Sequence, residues 1–520
     1  MTSTTSQSST PQVGRRHIGW ALYILAGCIV LILGLLLASR PLARFAERRL
    51  AAELQHAYNG RLHVQNSHIS VFPGVSAELE GITISQDDSG GLPLISIKQA
   101  SASTGYLDIL RRHIRSVSLQ QLEVHVPPRR ENLAESKSKD ESPHFTIDNL
   151  VANGTKLEIL PKSANKHPLQ FEIRDLTLTG NGPGGSMNFH ATLTNPEPPG
   201  LIRSSGTFGP WKFDDPALTP VHGSYQFQNA DLSVFKGISG TLSSEGTYQG
   251  VLDRISVEGH ADVPDFTVLV SGNPVHLMTK FQAVVDGMNG DTVLDPVNGQ
   301  FGHTSLVARG VVHGNLGEPG RSVDLDVQID QGRLEDVLTL GAKGKPLIAG
   351  VVSLHAKLGI PPGPVEIPNK LNLKGQFQAM QARFEKLNIQ ERVDKLSARG
   401  RGDTDDADDP DVASNFRGQF TLKDGVMSFD QVSFEVPGVQ VALQGTYGLL
   451  DEAIDIHGTA SLTAKLSQTV SGFKSFLLKP LDPFFHKNGV GTQIPIHIGG
   501  TRSKPSFGLD LKNRKQADGK

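Results

Sequence analysis

The chain has 520 residues, enough for three or four domains of ordinary size or for one long repetitive architecture. Its 50 Lys and Arg against 53 Asp and Glu leave a net charge of −3, which argues against a general nucleic-acid binder. The single cysteine, Cys28, excludes intramolecular disulfides, cysteine-based zinc sites and CxxC redox motifs.

The amino-terminal region predicts a membrane anchor. Residues 18–39 are uncharged and strongly apolar, and as a helix they would measure about 33 Å, enough to cross a hydrocarbon core of about 30 Å. Residues 1–17 form a polar tail, and the candidate membrane-interface residues here are Arg15, Arg16, Trp20 and Tyr23. A second interpretation stays open, because Leu25-Ala26-Gly27-Cys28 matches a bacterial lipobox and would make Cys28 a lipidated amino terminus.

Beyond the anchor, the period of the apolar residues changes from three or four to two. Residues 41–58 are predicted to form an amphipathic helix, and from residue 61 apolar and polar side chains alternate in short runs between turn signals. This alternation is typical of antiparallel sheet with one apolar face. The predicted segments are a helix-plus-strand region at 40–128, a polar linker at 129–142, a central β-region at 143–400, an acidic loop at 401–415, a β-segment at 416–513 and a polar tail at 514–520.

Helices are predicted to be few. The 3.6-residue period indicates short helices at residues 332–340 and 382–399, and a third at 462–478. Many strands of the central region are predicted to end at a glycine, among them Gly246, Gly250, Gly259 and Gly310.

The clearest sheet lies near the carboxy terminus. Asp424-Gly425 predicts a type I′ hairpin and Pro437-Gly438 a second turn. The alternation around these turns places one set of apolar residues on a common face, and these are the candidate lipid-binding residues: Phe420, Leu422, Val432, Phe434, Val436, Val439, Val441 and Leu443.

The third predicted helix is amphipathic and flanked by lysines. It has two interpretations: a cap on the last strand of the sheet, or a helix that lies on a membrane or an outer partner, since basic amphipathic helices bind anionic lipid surfaces. In the second interpretation the membrane-interface residues are Phe473, Phe476, Phe484 and Phe485.

No catalytic motif stands out. The sequence has no GxSxG, P-loop, dinucleotide-binding or HExxH pattern, and its 18 histidines are scattered. Six aspartates within 401–411 suggest calcium, but no register supplies both the Gly and the Glu of an EF-hand loop. The sequence therefore predicts a protein that is not an enzyme, with no cofactor, no metal site and no nucleic-acid partner.

The imbalance between many strands and few helices is the most informative pattern. A sheet with one apolar face must bury that face against something. Closed β-sandwiches are one solution, and a long, curved half-pipe that holds an apolar ligand is another. Periodicity does not separate the two.

Several motifs, in this order and spacing, resemble the AsmA-like family of bacterial envelope proteins. In the amino-terminal region, up to about residue 127, they are Asn59-Gly60, the segment at 69–74, Leu92-Pro93-Leu94 and the segment at 107–111. In the carboxy-terminal region, roughly 396–510, they are Gly425-Val426, Val436-Pro437-Gly438, Gly445-Thr446-Tyr447, Ile494-Pro495-Ile496 and Gly499-Gly500-Thr501 through Pro505 to Phe507.

The resemblance implies a mostly β fold, in which an amino-terminal transmembrane helix precedes a long, curved antiparallel groove. It also implies a bacterial inner-membrane protein with one membrane pass, with residues 1–17 as a cytoplasmic tail and its bulk in the periplasm. Its expected partners are phospholipids, the inner membrane and an outer-membrane or periplasmic protein. Its expected role is intermembrane lipid transport and outer-membrane assembly or homeostasis. The alternative is a structural factor of closed sandwich modules that assists outer-membrane protein biogenesis.

Overall fold

The computed structural model describes residues 62–71, 74–85, 93, 95–111, 113–126, 146–159, 169–180, 185–212, 215–314, 320–385, 387–401, 411–463 and 492–510. Within them the protein is mostly β, with four short α-helices. The helices are α1 (Tyr106–Leu110), α2 (Leu334–Gly341), α3 (Ile367–Lys370) and α4 (Leu387–Arg401).

The strands are numbered in chain order. They are β1 Leu62–Ser70, β2 Val75–Ile84, β3 Ile95–Thr104, β4 His113–Val126, β5 Thr146–Ile159, β6 Leu169–Gly180, β7 Met187–Pro196, β8 Pro199–Phe208, β9 Pro220–Asp231, β10 Ile238–Ser239, β11 Thr241–Val251, β12 Arg254–Val268, β13 Pro274–Val285, β14 Thr292–Phe301, β15 Thr304–Gly314, β16 Arg321–Arg333, β17 Ile348–Ile360, β18 Asn372–Phe384, β19 Ser414–Lys423, β20 Val426–Val436, β21 Val439–Gly448, β22 Ala453–Leu462, β23 Thr492–Thr501 and β24 Lys504–Leu509.

The chain divides into two compact units. The smaller comprises Met1–Glu123, Glu135–Asn153 and Thr179–Gly184. In it β1, β2 and β3 pair antiparallel in sequence order, and α1 follows β3. The larger unit comprises Val124–Ala134, Gly154–Leu178 and Gly185–Lys520.

In the larger unit the strands from β7 onward form an antiparallel meander. Each long strand pairs with the next along the chain through to β24, and the two-residue β10 is an extra partner of β12. The period-two sequence explains these strands, because successive side chains of a strand point to opposite faces. In β11, for example, Leu242 and Tyr248 are partly buried, whereas Ser243 and Thr247 between them are exposed.

The meander winds into a coil. The connection after β9 touches the connection between β17 and β18, since the amide of Ile367 donates to the carbonyl of Lys236 at 2.8 Å. The connection between β16 and β17 touches the turn between β23 and β24, where Arg502 hydrogen-bonds to the carbonyls of Lys343 and Lys345. Seven long strands separate the connections in each case. A flat sheet would hold such connections roughly 34 Å apart, at about 4.8 Å per strand.

The hairpin at Asp424-Gly425 is confirmed. These two residues have φ angles of 52° and 74°, and Lys423 pairs with Val426 across the turn. Positive φ at both central positions defines the type I′ turn, whose twist matches that of the flanking strands. Pro437-Gly438 likewise joins β20 to β21, with Gly438 at φ 84°.

Two predictions about element bounds are wrong. Gly246, Gly250, Gly259 and Gly310 lie inside strands β11, β12 and β15 and do not end them. The predicted helix at 382–399 begins only at Leu387, because Ala382 to Phe384 continue β18. The helix predicted at 332–340 is confirmed as α2, shifted by one or two residues.

Other predictions fall outside the described residues. These are the anchor at 18–39, the helix at 41–58, the linker at 129–142 and most of the acidic loop. The helix at 462–478 is also outside apart from its first two residues, of which Leu462 is the last residue of β22. In the part of the chain that the structure describes, no helix is long and apolar enough to span a bilayer.

Candidate functional site

The candidate site is the apolar face of the coiled sheet in the larger unit. From β12 to β23 each strand presents apolar residues directly opposite those of its neighbours, as Leu354 pairs with Phe377 and Ile456 with Ile498. The alternate residues form a polar face, which carries His355, Gln376 and Gln378. We call these surfaces the apolar face and the polar face.

The apolar face is the inner side of the coil. Its large residues are partly buried, whereas residues of the polar face are mostly exposed. The strands from β7 to β24 belong to one sheet, so over most of this face the low exposure arises from curl. Side chains on the concave face of a curled sheet crowd one another, and those on the convex face spread apart.

Helix α4 covers one section of the apolar face. Val393 and Leu396 of α4 pack against Phe434 and Val441, in a buried cluster that also contains Val412, Val436, Val439, Ala460 and Leu462. Phe416 extends the contact through its ring, whose centroid lies 4.9 Å from that of Phe434. We call the apolar face under α4 the covered section.

Buried hydrogen bonds hold α4 in place. The carboxylate of Asp394 accepts from the amide of Val412 at 3.0 Å and from the side-chain amide of Gln390 at 2.8 Å. Ser397 donates from its hydroxyl to the carbonyl of Pro437 at 2.7 Å. These contacts hold α4 against the segment before β19 and against the turn between β20 and β21, because Asp394 and Ser397 each have a partner outside the helix.

The residues predicted to bind lipid divide between two environments. Phe434, Val436, Val439 and Val441 share one face as predicted, but they lie in the covered section. Phe420 and Leu422 are buried on β19. Val432 is buried and Leu443 packs against the covered section. Both also contribute to the lining of a cleft of about 1040 Å³ across β16 to β22, together with Leu354 and Phe377 and with polar residues such as Gln376 and Gln378.

The predicted membrane-interface residues are not tested by the structure. Arg15, Arg16, Trp20, Tyr23, Phe473, Phe476, Phe484 and Phe485 all lie outside the described residues.

The apolar face is accessible between β13 and β18. Several of its larger side chains there remain partly exposed, among them Leu277, Phe281, Leu306, Leu325, Leu354 and Phe377. Their neighbours Phe301, Ile329 and Val352 on the same face are buried, as are the small residues Ala308 and Ala356. We call these partly exposed side chains the open section.

Glycines and tyrosines interrupt the apolar face near β8 to β12. The Tyr225 side chain lies over Gly246 and Gly259. A Cβ added at Gly246 would be 3.0 Å from the ring, and one added at Gly259 would be 2.8 Å from the hydroxyl oxygen. Its hydroxyl hydrogen-bonds to Ser244 at 3.1 Å, and that of Tyr248 to Ser204 at 2.7 Å. Burial raises the pKa of both tyrosines, an effect that each serine contact partly offsets.

Sequence reasoning missed these glycines and tyrosines as parts of the face. A glycine can mark the end of a strand, or a position inside a strand where a neighbouring side chain comes close to the backbone. Only the cross-strand register distinguishes the two. Gly246, for instance, lies directly opposite Tyr225 and Gly259, which are 21 and 13 residues away in the chain.

The polar face carries cross-strand pairs of opposite charge. His355 lies 2.9 Å from Asp326, His276 lies 2.5 Å from Asp262, and Arg309 donates to Asp295 at 2.9 Å. These side chains are about half exposed, so each pair contributes little to stability. The face is a hydrated outer surface.

No family model matches the chain, and neither a curated protein nor a solved structure matches it. The geometry alone defines the class: a mostly β protein whose larger unit is a curled antiparallel meander. Its candidate site is the apolar inner face of that meander.

Proposed function

We propose that the protein holds the acyl chains of phospholipids along the apolar face of its coiled sheet. The supporting observation is the open section, where large apolar side chains in continuous register remain partly exposed on the inner side of the curl. A row of large apolar side chains that stay partly exposed on a folded protein is a candidate ligand or partner site.

Such a site needs no activated residue. Each buried CH₂ group contributes about 0.8 kcal/mol, so a whole acyl chain is held firmly. Moving a chain by one group along a continuous apolar surface exchanges one set of contacts for an equivalent set. Lipid can therefore slide while its head group stays in water, and the protein acts as a passive conduit.

The resemblance to AsmA-like envelope proteins supports a location in the cell envelope for this activity. In this proposal, residues 18–39 anchor the protein in the bacterial inner membrane, and its bulk lies in the periplasm. There it contributes to lipid transport toward the outer membrane and to the assembly or homeostasis of that membrane, with an outer-membrane or periplasmic protein as its further partner.

A structural or assembly factor made of closed modules is the second candidate. The covered section favours it, because α4 closes that part of the face into an ordinary core. The two functions differ in lipid content: a closed module carries none beyond the lipid bound around its membrane anchor.

The test is lipid mass spectrometry of the full chain purified gently from membranes. Wild type should carry several phospholipids per chain, and Phe377→Glu should carry fewer, because a carboxylate on the open section repels acyl chains. The matched control is Met380→Glu, which adds the same charge three residues further along β18, at an exposed position of the polar face. Wild type that carries only anchor lipid, or equal losses in both variants, would contradict the proposal.

A further inference from the structure

Two histidines and two aspartates meet at the carboxy-terminal end of the sheet. His457 on β22 lies directly opposite His497 on β23, and Asp455 precedes His457 by two residues on the same face. The two imidazole rings are stacked, with centroids 4.5 Å apart and planes 18° from parallel. Asp510 follows β24 and completes the group.

The ring nitrogens of the two histidines converge on one oxygen. Nε2 of His497 lies 2.9 Å from Oδ1 of Asp455, and Nε2 of His457 lies 3.1 Å from the same atom. Two ligands held about 2.0 Å from a tetrahedral zinc ion are about 3.3 Å apart. Small side-chain movements therefore bring these three atoms to the separations that a metal ion requires.

Asp510 orients His457 for this role. Its carboxylate is 7% exposed and lies 2.7 Å from Nδ1 of His457. A carboxylate at Nδ1 holds the proton on that nitrogen, which leaves the Nε2 lone pair for a metal ion. This arrangement of carboxylate, histidine and metal is the usual outer shell of histidine ligands in zinc sites.

Three other histidines of the polar face lack this arrangement. His355, His276 and His260 each pair with a carboxylate across the sheet, at 2.9, 2.5 and 3.3 Å. Within the described ranges, the cluster of Asp455, His457 and His497 is the one place where three potential ligand atoms lie within 4.8 Å of one another.

We propose that Nε2 of His457, Nε2 of His497 and Oδ1 of Asp455 bind a divalent transition-metal ion of the zinc type. Two imidazoles and one carboxylate suit this class of ion, and a water molecule fills the fourth position on the solvent side. The ion joins β22 to β23, and through Asp510 it also fixes the residue that follows β24. The ion therefore stabilises the carboxy-terminal edge of the sheet.

The test is zinc binding by the full chain without a histidine tag, after treatment with a chelator. Wild type should bind one Zn²⁺ per chain, and Co²⁺ in its place should give the visible absorption of a tetrahedral site. His497→Ala and Asp455→Asn should abolish the Co²⁺ signal. Asp510→Asn, which removes only the orienting charge, should weaken binding by about 10- to 100-fold.

The matched control is His355→Ala, which removes a histidine from a simple pair with Asp326 and should bind Zn²⁺ as wild type does. Circular dichroism identifies any variant that fails to fold, and since Asp455 is exposed, Asp455→Asn is the variant of choice if a histidine variant fails. Wild type that binds no Zn²⁺ in competition with a weak chelator would overturn the proposal. So would a folded His497→Ala or Asp455→Asn variant that binds Zn²⁺ as tightly as wild type.

Discussion

The covered and open sections have the same alternation of apolar and polar residues but different surroundings. Phe434, beneath α4, is 9% exposed and packs in a closed cluster, whereas Phe377 on β18 is partly exposed and lines a cleft. The period of two specifies which face a side chain occupies. Whether that face is closed or accessible depends on a helix that lies elsewhere in the sequence.

The largest expected effect is the difference in stability loss between Phe434→Ala and Phe377→Ala. Phe434→Ala should lower the free energy of unfolding by about 3–5 kcal/mol, the usual cost of a cavity in a closed core. Phe377→Ala should cost about half as much, because its ring is already partly in contact with water. Urea unfolding of both variants measures the difference, and equal losses would mean that the open section is also a closed core.

Removal of the Asp394 carboxylate, which holds α4 in place, should expose the covered section. Asp394→Ala leaves the buried amide of Val412 without its acceptor, at a cost of about 1–3 kcal/mol, and loosens the helix. Binding of a fluorescent apolar dye should then increase. The control is Glu391→Ala on the exposed side of the same helix, where the solvent-exposed ion pair with Lys395 contributes little to stability. Dye binding that stays unchanged in Asp394→Ala would contradict the role given to this carboxylate.

A smaller effect is expected at the hairpin that ends β19. Gly425→Ala should cost about 1–2 kcal/mol, because φ of 74° is unfavourable for a residue with a Cβ atom. Gly425→Asn should cost less, since Asn tolerates this conformation. Thermal unfolding of the two variants tests this order, and an alanine variant as stable as wild type would show that the turn adopts another form.

The smallest effect concerns the tyrosines near β8 to β12. Because burial raises the pKa of Tyr248 above its usual value of 10, the contribution of this group to stability is fully present below pH 10. That contribution should be lost as the pH rises through the folded-state pKa. Tyrosinate absorbance measures the titration, and Tyr248→Phe should remove one late-titrating group. A folded protein whose tyrosines all titrate at or below pH 10 would contradict the buried position.

Much of the sheet could be predicted from the sequence. Strand β20 follows from the alternation of Val432, Phe434 and Val436, and the hairpin before it follows from Asp424-Gly425. The covering of these residues by α4 could not be predicted, because Val393 reaches them through contacts between residues about 40 positions apart. The same limit applies to the cluster of Asp455, His457 and His497, since the two histidines become neighbours only when β22 pairs with β23.

The central claim is that acyl chains lie on the apolar face of the open section. The most direct measurement places a photo-crosslinking amino acid at Leu277, Leu354 or Phe377 of the full chain in its membrane. In parallel, it is placed at the exposed polar-face positions Met278, Lys357 or Met380 on the same three strands. The account predicts crosslinks to phospholipid from the first three positions and little or none from the second three. Equal crosslinking from both faces, or no lipid captured at Leu354 and Phe377, would contradict it.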